Sequence, residues 1–146
     1  MRITFAEESD ITLLAILFDQ YRVFYEQKSD IEKVTEFLCF RLEKKDSIIF
    51  VARENADIVG FTQLYPSFSS VGMKKTWILN DLFVSPQRRR QSIARKLMQE
   101  ALNHAKRTGA LRIDLATQVS NTLAQNLYVT MGYIKNESFY HYSLNV

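Results

Sequence analysis

Apolar side chains recur along this chain with two different periods, and the switches between them mark out its elements. Met1 to Phe5 can form a short strand, after which Ser9 or Asp10 can cap a helix carrying Ile11, Leu14, Phe18, Tyr21 and Tyr25 on one face. A second helix is predicted from about Asp30 to Glu43. Ser47 to Arg53 is rich in strand formers, and a turn over Glu54–Asp57 joins it to Ile58–Tyr65 as a hairpin. Residues 66–72 read as loop or frayed strand, and Trp77 to Val84 reads as a strand ended by Pro86. From Ser92 to about Thr108, Ile93, Leu97, Ala101 and Ala105 recur at helical spacing until Gly109 stops them. Leu111 to Leu115 is another strand, Asn121 to Met131 a helix ended by Gly132, and Tyr133 to Val146 can form two closing strands.

The resulting order, β-α-α-β-β-β-α-β-α-β-β, predicts an α/β (α+β) fold. An early antiparallel run followed by strand-helix alternation implies a mixed, mostly antiparallel sheet with helices on both faces. At 146 residues the chain suits a single domain spanning 1–146, with no Gly/Ser/Pro-rich linker and no repeat. No apolar run approaches the ~20 residues that cross a bilayer, and the first residues lack a signal core, so a cytoplasmic protein is expected. Cys39, the single cysteine, sits in Phe37-Leu38-Cys39-Phe40 and reads as a buried helix position. His104 and His141 each lack a second ligand at metal spacing, so no metal is expected.

A net charge of +3 is mild, and its placement matters more than its size. Arg88, Arg89 and Arg90 are consecutive at a strand-to-helix junction, with Arg95 and Lys96 close behind. The first N–H groups of a helix lack internal partners, so a diphosphate there accepts several hydrogen bonds and meets the positive end of the helix dipole. Arginines add charge and paired donors. The run Arg89-Arg90-Gln91-Ser92-Ile93-Ala94 resembles the acetyl-CoA loop of the GNAT superfamily of N-acetyltransferases. Its pattern is Gln or Arg, two residues, Gly, one residue, then Gly or Ala. Ser92 departs from that pattern, standing where the family usually has its first glycine. A glycine there lets backbone approach phosphate, whereas the serine side chain must point away or donate to an oxygen itself.

A second stretch carries the same resemblance. Asn121, Ala124, Leu127, Tyr128, Gly132 and Tyr133 match a GNAT pattern of Asn, Ala three positions on, an apolar residue, Tyr, Gly and an aromatic. Positions 121, 124 and 128 lie close to one helical face, with Leu123, Leu127 and Met131 on a neighbouring stripe. The resemblance implies an acetyl-CoA-dependent N-acetyltransferase in which Ala124 leaves room for the pantetheine arm and Asn121 caps the helix or bonds that arm. Tyr128 would then protonate the departing thiolate, since a phenol with a reference pKa of ~10 holds its proton at neutral pH. It also implies that the strands Trp77–Val84 and Leu111–Leu115 splay to admit the arm. Backbone near Leu82, Phe83 and Val84 would pair with it, alongside Arg89, Arg90, Gln91, Ser92, Ile93, Ala94 and Arg95 at the diphosphate.

The proton acceptor is the open part. Alternation places Asn80 with Ile78, Leu82 and Val84, and Asp81 on the opposite face with Trp77, Leu79 and Phe83. Some family members, notably diamine acetyltransferases, carry glutamate where this chain has Asn80. Asparagine is no base but orients a water. Asp81 is the alternative if the strand twists or bulges, with a structural hydrogen bond as the competing role. Tyr25, Glu26, Gln63, Tyr65, Ser67 and the tail around Phe139-Tyr140-His141-Tyr142 are expected to line the acceptor site. That inventory suits a small, polyamine-like amine or the end of a peptide. Two other classes fit parts of the chain: a catalytically idle coenzyme A sensor, and a nucleic-acid module using Arg88–Arg90, which lacks a stacking platform in that stretch. A homodimer is the family's common assembly.

Overall fold

The computed structural model describes residues 1–89 and 91–146, which fall into two units, Met1–Ala116 and Thr117–Val146. The first unit holds β1 (Arg2–Phe5), a 3-10 turn at Glu8–Asp10, α1 (Ile11–Phe24), α2 (Ile31–Lys44), β2 (Ile48–Glu54), β3 (Asp57–Ser69), β4 (Lys74–Val84), a second 3-10 turn at Pro86–Arg88, α3 (Ile93–Arg107) and β5 (Ile113–Asp114). The strands form one sheet in chain order, antiparallel throughout except for the parallel β4–β5 pair. This is the mixed α/β fold expected from the sequence.

Alternation sorts the side chains between two layers of helix. Ile49, Val51, Phe61 and Phe83 lie on one sheet face and pack with Leu14, Leu17 and Phe18 of α1 and Val34 and Leu38 of α2. Phe50 and Trp77 lie on the other face, their rings 5.7 and 5.0 Å from the His104 ring of α3. Gly60 of β3 sets how closely α3 approaches. A Cβ there would stand 3.3 Å from Ile93 Cγ2, 3.3 Å from Leu97 Cδ1 and 3.1 Å from the Phe83 carbonyl oxygen. Leu14, Leu38, Phe50, Phe61, Leu64 and Leu97 are fully buried, and each large apolar side chain removed from water contributes about 1.5–3 kcal/mol.

Several boundaries differ from the sequence reading. β3 runs through Pro66 to Ser69, where a loop or frayed strand is expected. Pro66 is tolerated because β2 pairs with β3 only as far as Leu64, so beyond it β3 has β4 alone as neighbour and a missing N–H costs no ladder bond on that side. β5 is two residues long instead of five. Cys39 is exposed, not buried: α2 turns Val34 and Leu38, four residues apart, toward the sheet, and the next residue points about 100° away.

The second unit contains α4 (Thr122–Thr130), capped by Asn121, whose Oδ1 accepts from the Ala124 N–H at 3.2 Å. The helix stops at Gly132, whose φ of 97° only glycine adopts freely, and Tyr133 N–H donates back to the Tyr128 carbonyl at 3.0 Å. The two closing strands expected over Tyr133–Val146 are absent among the described residues. Phe139, Tyr140 and Tyr142 have strand propensity, but a strand exists only where its N–H and C=O groups find a ladder.

Candidate active site

β4 carries a bulge at its centre. Gln63 pairs opposite Asp81 but Leu64 pairs opposite Leu79, which leaves Asn80 as the extra residue. An extra residue inverts the alternation beyond it. Asp81 therefore shares a face with Phe83, Phe61 and Gln63, while Trp77 and Leu79 fall on the opposite face with Leu82 and Val84, correcting the grouping expected from plain alternation. The bulge also brings the Asn80 and Asp81 side chains together: Asn80 Nδ2 donates to Asp81 Oδ1 at 3.1 Å.

Asp81 is buried, 5% exposed, and its three side-chain partners are all neutral. Tyr21 Oη donates to Oδ1 at 2.9 Å and Gln63 Nε2 to Oδ2 at 2.8 Å. Behind Gln63, Ser47 Oγ donates to its Oε1 at 2.9 Å. Among the described residues no Lys, Arg or His lies in ion-pair range of Asp81. Tyr65, paired opposite Ile78, is half-buried, and burial followed by the nearby Asp81 charge pushes its phenol up to about 12. It therefore holds its proton at neutral pH.

The acceptor residues expected on α1 follow directly. Tyr25 caps α1, its ring 5.1 Å from the Tyr21 ring, and Glu26 is exposed in a left-handed turn at φ 63°. The loop that follows is tied down by buried Asp19, which accepts from Ser29 Oγ at 2.6 Å and from the Asp30 N–H at 2.8 Å. Tyr21 is the residue that sequence reasoning missed. It counts there as one apolar position of α1, because nothing local shows that its hydroxyl meets a carboxylate 60 residues away.

β4 and β5 pair only at Trp77–Ile113 and Ile78–Asp114, so the outer edge of β4 from Leu79 to Val84 continues without β5. Past that edge the chain turns at Pro86–Arg88 and enters α3. Ser92, at the helix N-cap, has φ 61° and ψ 17°, the left-handed conformation that glycine adopts without cost. The serine thus keeps the dihedrals of the usual glycine and accepts the strain. The α3 ladder starts with Lys96 N–H to the Ser92 carbonyl at 3.0 Å, so the N–H groups of Ile93, Ala94 and Arg95 precede it. Gln91, Ser92 and Arg95 are exposed, Ala94 is half-buried, and the Ile93 side chain is buried against the sheet. Arg90 lies outside the described residues. Arg89 is turned back from α3: its guanidinium lies 5.8 and 5.5 Å from the ring centroids of Phe24 and Phe83, and its Nε donates to the Val84 carbonyl at 3.3 Å.

In the second unit, Asn121, Ala124 and Tyr128 are half-buried on α4, and the Tyr128 and Tyr133 rings are 6.1 Å apart across the helix end. His141 is exposed. No cluster of His, Cys, Asp and Glu suited to a metal occurs among the described residues, and no described helix is long and apolar enough to cross a membrane.

Known proteins place this geometry. An uncharacterized N-acetyltransferase YhfO of Bacillus subtilis (strain 168) is 46% identical over 146 residues, covering 100% of this chain and 98% of its own length. A thialysine N-epsilon-acetyltransferase of Caenorhabditis elegans is 27% identical over 130 residues, covering 84% of this chain and 78% of its own. The crystal structure of a probable acetyltransferase superposes with a TM-score of 0.94 at 41% identity, over 100% of this chain and 98% of that one. Acetyl-CoA is the acyl donor of the family in general. Residues 11–133 match the model of the acetyltransferase (GNAT) family, and with the bulged β4, the left-handed turn into α3 and the capped α4 the chain belongs to that family of N-acetyltransferases.

Proposed function

We propose that the protein transfers the acetyl group of acetyl-CoA to a primary amine of a small, polyamine-like molecule or of a peptide, by direct attack of the amine on the thioester, with both units acting as one domain. The observation that carries the acceptor side is Asp81: a buried carboxylate is held by three neutral donors, with no cation opposite it among the described residues. An acceptor arrives as an ammonium ion and supplies that cation. The same carboxylate then takes its proton, through a water held by the exposed Asn80 amide, and frees the lone pair for attack. Gln63 fixes the carboxylate plane, Tyr65 offers a phenol that remains protonated, and Tyr25 and Glu26 border the approach. Thialysine, named for the relative in Caenorhabditis elegans, is such a primary amine.

Acetyl-CoA brings the activated acetyl group. The residues present fit it: the left-handed Ser92 precedes the α3 N-terminus, and the N–H groups at Ile93, Ala94 and Arg95 suit a diphosphate, with Gln91 next to them in the chain. The outer edge of β4 at Leu82, Phe83 and Val84 suits the pantetheine amides. Arg89 serves this surface by holding the end of β4 against Phe24 and Phe83. Asn121 and Ala124 would border the arm, and Tyr128 would protonate the leaving thiolate.

Thiol release measured over a panel of amines and peptides tests the reading. Tyr128→Phe is expected to lower kcat roughly a hundredfold, the lower end of general-acid contributions, with acetyl-CoA affinity unchanged. Tight acetyl-CoA binding without turnover on any amine or peptide would instead identify a coenzyme A sensor. The cytoplasmic location and homodimer expected from the sequence belong to the same proposal, checked by cell fractionation and light scattering.

A further inference from the structure

Asp81 sits on a sheet face, yet one of its three side-chain donors comes from a helix. Tyr21 lies in the third turn of α1, and its ring is wedged among Phe18, Phe61, Phe83 and Tyr25 at centroid distances of 5.1–5.7 Å. That packing leaves the ring little freedom, so the hydroxyl reaches Asp81 Oδ1 at 2.9 Å from a fixed direction. The same oxygen accepts from Asn80 at 3.1 Å, whereas among the described residues Oδ2 accepts from Gln63 alone. A carboxylate has about four acceptor sites. With both sites of Oδ1 filled, the remaining one lies on Oδ2. Tyr21 also begins the acceptor-lining segment, since its carbonyl accepts from the Tyr25 N–H at the end of α1.

We propose that Tyr21 is a positioning residue for acetyl transfer: its hydroxyl occupies Asp81 Oδ1 and so directs the acceptor's proton to Oδ2. The inference rests on the reading of Asp81 as proton acceptor. No bond to Tyr21 forms or breaks in the reaction. The first proton leaves the ammonium nitrogen for Oδ2 through the water at Asn80, and the nitrogen lone pair forms the C–N bond as the C–S bond breaks and its electrons leave with the thiolate. The second proton that the nitrogen sheds in becoming an amide replaces the one Tyr128 gives to the thiolate.

The test is Tyr21→Phe, which keeps the ring and its packing and removes only the hydroxyl. Turnover is measured with two acceptors at neutral pH: an alkyl primary amine, almost wholly protonated, and an aryl amine or hydrazide, already neutral and needing no base. Loss of orientation is expected to lower kcat for the alkyl amine about tenfold, a fraction of a general-base contribution, and for the neutral amine less than about twofold. Acetyl-CoA affinity and the thermal unfolding midpoint report that the variant is folded. A purely structural role would depress both acceptors equally, and equal losses, or no loss on either, overturn the proposal. Asp81→Asn measured beside it separates the two readings. If Asp81→Asn discriminates between the acceptors and Tyr21→Phe does not, the positioning role alone fails. If neither discriminates, the assignment of Asp81 as proton acceptor fails with it.

Discussion

Two buried carboxylates in the first unit meet opposite surroundings. Asp10, 5% exposed, is gripped by Arg53, whose Nη1 and Nη2 each reach one carboxylate oxygen at 2.6 Å, while Arg53 Nε donates to Thr4 Oγ1 at 2.7 Å. Asp81 is equally buried and has only neutral donors. The first arrangement ties the start of α1 to β1 and β2 and neutralises itself. The second has no such cation among the described residues, which is what the proposed function builds on. Burial and neutral donors therefore do not by themselves mark a functional acid, since Asp19 has both and ties down the loop after α1. Asp81 differs in lying beside Gln63 and Tyr65, which are expected to line the acceptor site.

The sharpest way to break this contrast is to remove the charge at the structural corner. Asp10→Asn strands the Arg53 guanidinium and is expected to cost about 3 kcal/mol of folding stability in chemical denaturation, as breaking one side of a buried pair does. Turnover per folded molecule should stay at the wild-type level, and a selective loss of kcat would erase the distinction.

Acid titration sharpens it next. Hydrogen bonding from Arg53 holds Asp10 below the ordinary value of 3.8, and Ser29 Oγ does the same for Asp19. The folded state sheds these protons more readily than the unfolded chain, so their stabilisation is complete above about pH 4 and is lost as the pH falls through the folded values. The melting temperature should drop on that acid limb, and the drop should shrink in Asp10→Asn.

A smaller pH effect is expected from His104, whose buried Nε2 has no hydrogen-bond partner among the described residues. Burial, reinforced by Arg107 and Lys75, lowers it from the ordinary 6.5. The unfolded chain binds a proton first, so stability should decline as the pH falls below 6.5, and His104→Phe should flatten that decline. Smallest of all, Ser92→Gly relieves the left-handed serine and should raise stability by about 0.5–1 kcal/mol, with acetyl-CoA affinity at least retained.

Most of the fold was legible because its elements carry their own punctuation. Asp30 and Asn121 cap the helices they precede, Gly132 ends α4, and the runs around Phe50, Phe61 and Phe83 are largely apolar, as strands covered on both faces are. The turn into α3 was legible too, and Ser92 there adopts the left-handed conformation that a glycine would take without cost. What the sequence concealed is non-local. The bulge at Asn80 depends on the pairing of β4 with β3, and it reverses which face Asp81 occupies. Tyr21 reads as core because its ring is core; only its hydroxyl, which donates to Asp81, sets it apart. The charge of Arg89 is visible in the sequence, whereas its stacking on Phe24 and Phe83 arises only on folding.

The most direct test is the turnover of Asp81→Asn on a protonated alkyl amine at saturating acetyl-CoA. The amide preserves the side chain's shape and removes its charge, so kcat/KM is expected to fall by about a hundredfold or more, in line with loss of a general base, while acetyl-CoA affinity is unchanged. Wild-type turnover in that variant would show that the neutral-donor carboxylate is architecture, no different in kind from Asp10.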